Sequence, residues 1–194
     1  MIMKNNYGYR RNAAKAGKVR EIINKYGRIV FEQTFSGPDG KEHEFILFNA
    51  TQIPAIVFPL TPDNKVVAVR QFRYGANDFV LEIPGGNSKK ELTPEECAKV
   101  EIMEETGYAA DKIVRLGGDI WFDPASSRAR YAPLLALGCR RVKKPKLDSA
   151  EIIETVEVPL DEWFHKVRDG KEILDSKTLA VTVLALLYLN SKAY

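Results

Sequence analysis

Apolar positions along this chain come in short runs separated by turn-forming residues, a pattern that predicts strands more often than helices. Arg28–Phe35 and Glu42–Phe48 flank Ser36-Gly37-Pro38-Asp39-Gly40. There proline fixes one φ and glycine supplies a positive one, so the two runs read as a hairpin. Ala55–Pro59 and Lys65–Phe72 flank Thr61-Pro62-Asp63-Asn64, a second hairpin signal. Asp78–Ile83 is a further strand, closed by Pro84-Gly85-Gly86, and Ile113–Leu116, Tyr131–Gly138 and Glu154–Val158 complete the predicted strands. The best-marked helix spans residues 93–106. Thr93 can cap it, Pro94 takes the first helical position, Glu96 completes a capping box, and Gly107 fits a left-handed stop. A second helix, Leu160–Arg168, ends at Gly170, and a mostly apolar third runs from about Lys177 to Leu189. Strands outnumber helices and do not alternate with them strictly, so the predicted class is α+β with a mixed sheet.

Composition narrows the field. The chain has 194 residues, 45% hydrophobic and 28% charged, with a net charge of +3. That supports one domain with a core, or one domain plus an arm, and excludes a disordered, collagenous or coiled-coil state. The longest apolar stretch, Leu179–Leu189, falls short of the ~20 residues that cross a bilayer and carries Thr182, so no membrane partner is expected. Cys97 and Cys139 lack Cys or His partners at ligand spacing, which argues for reduced thiols and a cytoplasmic setting. Lys4 to Arg20 is basic, with no acid before Glu21 and no apolar middle of a secretory signal. It is expected to form an exposed arm or a helix docking on a partner. The basic run Arg140-Arg141-Val142-Lys143-Lys144-Pro145-Lys146 has no interleaved aromatics and reads as a solvated segment, so a nucleic-acid partner is not expected. Trp121 and Phe122 have two readings, stacking on a base or packing in a core. His43 and His165 have no neighbours that point to catalysis.

Candidate chemistry lies on the 93–106 helix. Glu101, Glu104 and Glu105 fall at i, i+3 and i+4, within an arc of about 100° that also holds Cys97 and Ala98. A solvated acidic face is one reading. The other is a metal site, because partial burial of like charges raises carboxylate pKa values and a hard dication such as Mg²⁺ or Mn²⁺ removes the penalty. The preceding Pro84-Gly85-Gly86 favours the second reading, since glycines let a carbonyl or a phosphate come close.

The segment Gly86–Tyr108 resembles a Nudix box. Gly86, Glu101, Ile102, Glu104, Glu105, Gly107 and Tyr108 stand at the family spacing, while Leu92 and Val100 replace its Glu and Arg. Val69-Arg70-Gln71-Phe72-Arg73, Leu81-Glu82-Ile83-Pro84-Gly85-Gly86 and Asp175-Ser176-Lys177-Thr178-Leu179 are similar to the branch typified by ADP-ribose and nucleoside-diphosphate-sugar pyrophosphatases. The resemblance implies a Nudix α/β/α sandwich with a mixed sheet, preceded by a small N-terminal β-hairpin region. It divides the chain into a basic, dimer-forming arm with antiparallel strands (1–50) and a hydrolase domain (51–194). It implies hydrolysis of a nucleoside diphosphate sugar to a nucleoside monophosphate and a sugar phosphate, dependence on Mg²⁺ or Mn²⁺, and a homodimer. By the same resemblance, Glu101, Glu105 and the Gly85 carbonyl hold metal. Glu104, Glu105 and Glu151 are catalytic, with Glu154 the alternative to Glu151, and Arg73, Glu82 and Gly86 meet substrate.

Two departures bear on these implications. Hydrocarbon replaces both members of the Glu–Arg pair, a joint change that stability tolerates. Downstream, Asp123-Pro124-Ala125 stands where the branch has Ser-Pro-Gly, and Ala129 where it has Glu. A catalytically impaired Nudix-fold module that binds a nucleotide or a protein is the alternative function.

Overall fold

A computed structural model describes residues 14–37, 39–87, 91–147, 149, 151–170 and 174–191. Residues 4–13 of the basic arm and Ser88-Lys89-Lys90 of the box lie outside the described residues. The elements in chain order are β1 (Lys15–Lys25), β2 (Arg28–Ser36), β3 (Glu42–Ala50), β4 (Ala55–Leu60), β5 (Lys65–Arg73), β6 (Asp78–Glu82), β7 (Gly85–Gly86), α1 (Pro94–Glu101), a π turn (Ile102–Thr106), β8 (Tyr108–Ala109), β9 (Lys112–Arg115), β10 (Ile120–Trp121), β11 (Arg130–Leu137), β12 (Arg140–Arg141), β13 (Ile153–Pro159), α2 (Leu160–Asp169) and α3 (Ser176–Ser191). Two compact units emerge. One is the chain up to Thr51 together with Trp121–Ala129; the other is Gln52–Ile120 with the chain from Arg130 onward.

The first unit is an antiparallel sheet in the order β1–β2–β3. Lys15–Arg20, expected as an arm or a docking helix, is strand. Tyr26 (φ 54°) and Gly27 (φ 75°) make a two-residue turn with both φ positive, which matches the twist of a hairpin and folds β1 back on β2. A Tyr-Gly pair is a weaker turn signal than Asn-Gly, so the sequence does not announce this strand. Phe31 and Gln33 are the buried side chains of β2. The Arg128 guanidinium stands 4.7 Å over the Phe31 ring and donates to Gln33 Oε1. All of β1 is exposed, and Val19, Ile23, Phe45, Ile46 and Phe48 present apolar surface to solvent.

The second unit is built on a mixed sheet whose path is β11–β4–β5–β13, with β6 on β5, β7 on β4 and β9 on β11. The β4–β11 pair is parallel and the others are antiparallel. Strand alternation sends Ile56, Phe58, Leu60, Val66 and Ala68 to one face, where they meet Trp163 of α2 and Val181 and Ala185 of α3. Ala55, Val57, Val67, Leu134 and Ala136 go to the other face and meet Cys97, Ala98 and Ile102. Two apolar faces covered by helices make this an α/β/α sandwich, as the resemblance implied.

The helix after Gly86 begins as its sequence predicts. The Glu96 amide donates to Thr93 Oγ1 (3.2 Å) and the Thr93 amide to Glu96 Oε2 (2.8 Å). It does not stay α-helical to residue 106: after Glu101 it widens into the π turn. The Thr106 hydroxyl donates to the Ile102 carbonyl (2.5 Å), the oxygen that the Thr106 amide would take in an α-helix. Gly107, at φ 76°, stops the turn in the left-handed region as expected.

Candidate active site

β7 pairs with β4 through Ala55↔Gly86 and Ile56↔Gly85, and this lays both glycines beside the carboxylate helix. The closeness requires glycine. A Cβ on Gly86 would stand 2.5–2.8 Å from the carboxylate atoms of Glu101, and one on Gly85 would strike the carbonyl oxygen of Ala55. The Gly85 amide donates to Glu105 Oε2 at 3.2 Å. Cys97 Sγ lies 3.7 Å from the Gly86 carbonyl oxygen and 4.0 Å from Glu101 Oε1. Glu101 and Glu105 therefore converge on the same two-residue strand, one from the end of α1 and the other from the π turn.

Glu105 is 5% exposed. Burial pushes its carboxyl well above the usual range, and the negative charge of Glu101 adds to this. The Gly85 amide opposes the rise, Glu151 reinforces it, and Arg73 opposes it. The π turn that carries Glu105 is pinned from outside. Thr155 Oγ1 of β13 donates to the Glu105 carbonyl (3.3 Å), and the Lys146 amide donates to the Glu104 carbonyl (2.8 Å). These contacts span tens of residues of sequence and leave no local signal, so sequence reasoning finds neither Thr155 nor the tether at Lys146.

The other named side chains fall into distinct places. Arg73 Nε and Nη2 grip Glu82 Oε1 and Oε2 at 2.7 and 2.5 Å, a two-pronged pair in which Glu82 is buried and Arg73 is 41% exposed. Lys177, at the start of α3, pairs with Asp175. Burial lowers its ammonium pKa, Glu82 counteracts this, and Arg73 adds to it. Glu151 is half-buried and near enough to raise the Glu105 pKa. Glu154 is next to Thr155 on β13, so it faces the opposite side of the sheet, where it is exposed and 3.6 Å from Arg70. Glu104 is half-buried on the π turn, and Leu92 and Val100 are half-buried as well.

This arrangement fits a divalent cation. Two like-charged carboxylates meet beside a strand on which neither residue has a side chain, and one of them is buried with a raised pKa; a cation relieves both costs. Among the described residues, no three His, Cys, Asp or Glu side chains form a ready-made cage. A cation held here would draw on Glu101, Glu105 and a backbone carbonyl, and would fill its shell with water and ligand phosphate. Small hard dications bind in this way.

A glycine strand, a capped helix and two neighbouring carboxylates, one of them buried, on an α/β/α sandwich define the class, and comparison with known proteins agrees. The family model described as NUDIX domain matches residues 50–176, more than half of the chain, and the chain belongs to that family. Nudix hydrolases generally use divalent metals. Among individual relatives, the ADP-ribose pyrophosphatase of Bacillus subtilis (strain 168) is 29% identical over 163 residues, covering 77% of this chain and 86% of the relative. The methanol dehydrogenase activator of Bacillus methanolicus is 33% identical over 136 residues, covering 69% of each. A GDP-mannose pyrophosphatase of Yersinia enterocolitica is 29% identical over 136 residues, covering 66% of this chain and 69% of the relative. The crystal structure of an ADP compounds hydrolase superposes with a TM-score of 0.82 at 14% identity, covering 95% of this chain and 98% of that one, a likeness of fold.

Proposed function

We propose that this chain hydrolyses the diphosphate linkage of a nucleoside diphosphate sugar, with Mg²⁺ or Mn²⁺, to a nucleoside monophosphate and a sugar phosphate. The observation that carries the reading is the buried Glu105 carboxylate beside Glu101 and the Gly85 amide. The pyrophosphatases of Bacillus subtilis and Yersinia among the relatives support the substrate class. In this reading Glu101, Glu105 and the Gly85 carbonyl would hold the cation, which would supply charge to screen the diphosphate and to acidify a water. Gly86 meets the diphosphate through its backbone, and its missing side chain lets the Glu101 carboxylate come against the strand. Arg73, fixed through Nε and Nη2 by Glu82, offers Nη1 to a phosphate oxygen. Glu151 is the base: it takes the proton of the attacking water as oxygen bonds to phosphorus and the bridging P–O bond breaks. The Glu154–Arg70 pair on the far face of β13 favours Glu151 for this role. Glu104 is the third acid of the site, beside Glu105 on the π turn.

The test is turnover of ADP-ribose and GDP-mannose with Mg²⁺ or Mn²⁺. The expected result is a nucleoside monophosphate and a sugar phosphate from at least one of them, abolished by a chelator and restored by the ion. No turnover of either substrate with either ion would overturn the reading. Retained binding of ADP-ribose without turnover would select the second reading, a module that binds a nucleotide and acts on a protein partner. Leu92, Val100 and Ala129 favour that second reading, as does the kinship with an activator protein. We further propose a homodimer through the sheet of residues 15–50, supported by exposed Val19, Ile23, Phe45, Ile46 and Phe48. We also propose cytoplasmic residence, supported by Cys97 and Cys139 being buried thiols outside any disulfide. Separately, no helix among the described residues is long and apolar enough to cross a membrane.

A further inference from the structure

Gln71 lies within β5, is 7% exposed, and its Oε1 has no hydrogen-bond partner among the described residues. A buried carbonyl left unpaired is costly, and a native fold that keeps one has something outside the protein to complete it. The strand register shows where this acceptor lies. Gln71 is opposite Val80 of β6 and Ile153 of β13. It shares a sheet face with Arg73 two residues on and with Val69 two residues back. Val69 is in turn opposite Glu82 and Thr155, and the Thr155 hydroxyl holds the Glu105 carbonyl. The orphaned oxygen therefore belongs to the face on which the carboxylate-bearing turn is seated.

The surroundings narrow what can fill it. Val69, Val80 and Ile153 are hydrocarbon, and the Arg73 fork is turned to Glu82. Ionised carboxylates and phosphate oxygens bring only acceptors. A hard dication has better ligands in Glu101 and Glu105 than in a neutral amide. A hydroxyl, of water or of a substrate, is the neutral donor that fits. We infer that Gln71 is a specificity-determining residue whose side-chain carbonyl accepts a hydrogen bond from a sugar hydroxyl of the diphosphate substrate. The inference rests on the hydrolase reading above.

The test compares the full chain with its Gln71→Leu variant on three substrates. These are ADP-ribose, a butyl ester of ADP that lacks the distal sugar, and ADP-ribose whose adenosine ribose is 2′,3′-dideoxy. The expected result is a fall of about 10- to 100-fold in the preference (ratio of kcat/KM) for ADP-ribose over one of the two analogues, and the analogue tells which sugar is read. Equal losses on all three substrates would overturn the inference and leave the hydrolase reading standing. A parent chain inactive on all three would overturn both. A second readout does not depend on turnover: Gln71→Leu removes a buried carbonyl oxygen that has no partner among the described residues, so the ligand-free variant should melt at the same temperature as the parent or above it. A lower melting temperature would mean that the amide has a structural partner, and would overturn the inference.

Discussion

Gly86→Ala separates the site from the fold. An added Cβ would lie 2.5 Å from Glu101 Oε2, 2.6 Å from its carboxyl carbon and 2.8 Å from Oε1, whereas ordinary contact begins at 3.4 Å. The carboxylate must retreat by about 1 Å. It is the far end of a flexible side chain, so the retreat costs the fold little, but it moves one of two carboxylates proposed to share a cation. A misplacement of about 1 Å can cost about 100-fold in rate, equivalent to about 2.7 kcal/mol of transition-state stabilisation. The expected outcome is a kcat/KM near 1% of the parent by that ~100-fold argument, weaker activation by Mg²⁺, and a nearly unchanged melting temperature. Gly85→Ala is the control. There the Cβ meets the backbone oxygen of Ala55 and the Ile56 Cα at 3.1 Å, atoms held in the sheet, so the melting temperature itself should fall. Steady-state kinetics over a range of Mg²⁺ concentrations, with thermal melts of both variants, make the comparison. Parent-like kinetics in Gly86→Ala would refute the placement of Glu101, and a collapse of its melting temperature would refute the claim that the strand tolerates the change.

Other side chains give separate tests. Glu105 holds its proton to higher pH folded than unfolded, because burial and Glu101 disfavour its charge. Its contribution to the stability of the cation-free protein is therefore full below the ordinary carboxyl range and is lost as pH rises through the folded pKa. Glu105→Gln should abolish turnover yet raise the cation-free melting temperature at mildly alkaline pH, with the gap closing in acid; a gap independent of pH would contradict this. Thr106→Val leaves the Ile102 carbonyl and the Tyr108 amide without the hydroxyl that serves both. The expected cost is about 1–3 kcal/mol, at about 2–4 °C per kcal/mol in a thermal melt; an unchanged melt would show that the hydroxyl does not stabilise the turn. Arg73→Met strands the buried Glu82 carboxylate, at a cost of about 3 kcal/mol, the lower end of the usual range because Arg73 is partly exposed. Adding Glu82→Met should recover most of that loss in urea unfolding, and additive losses would show that the pair is not a unit.

What can be read along the chain and what cannot divides by the range of the interactions. Thr93, Pro94, Glu96 and Gly107 act within one or two turns of their own backbone, so their sequence alone predicts where the carboxylate helix starts and stops. The Pro84-Gly85-Gly86 closure, the hairpin at Thr61–Asn64 and the spacing of Glu101 and Glu105 are local in the same sense, and all are legible. The folded chain alone decides the rest. The widening at Ile102–Thr106, the burial of Glu105, the Arg73–Glu82 fork, the facing of Glu154 away from Glu105 and the unpaired oxygen of Gln71 depend on which strand lies next to which. A carboxylate's spacing is a property of its helix, but its pKa and its partners are set by groups brought from Gly85, Glu151 and Thr155, and their distance in sequence carries no trace of that encounter.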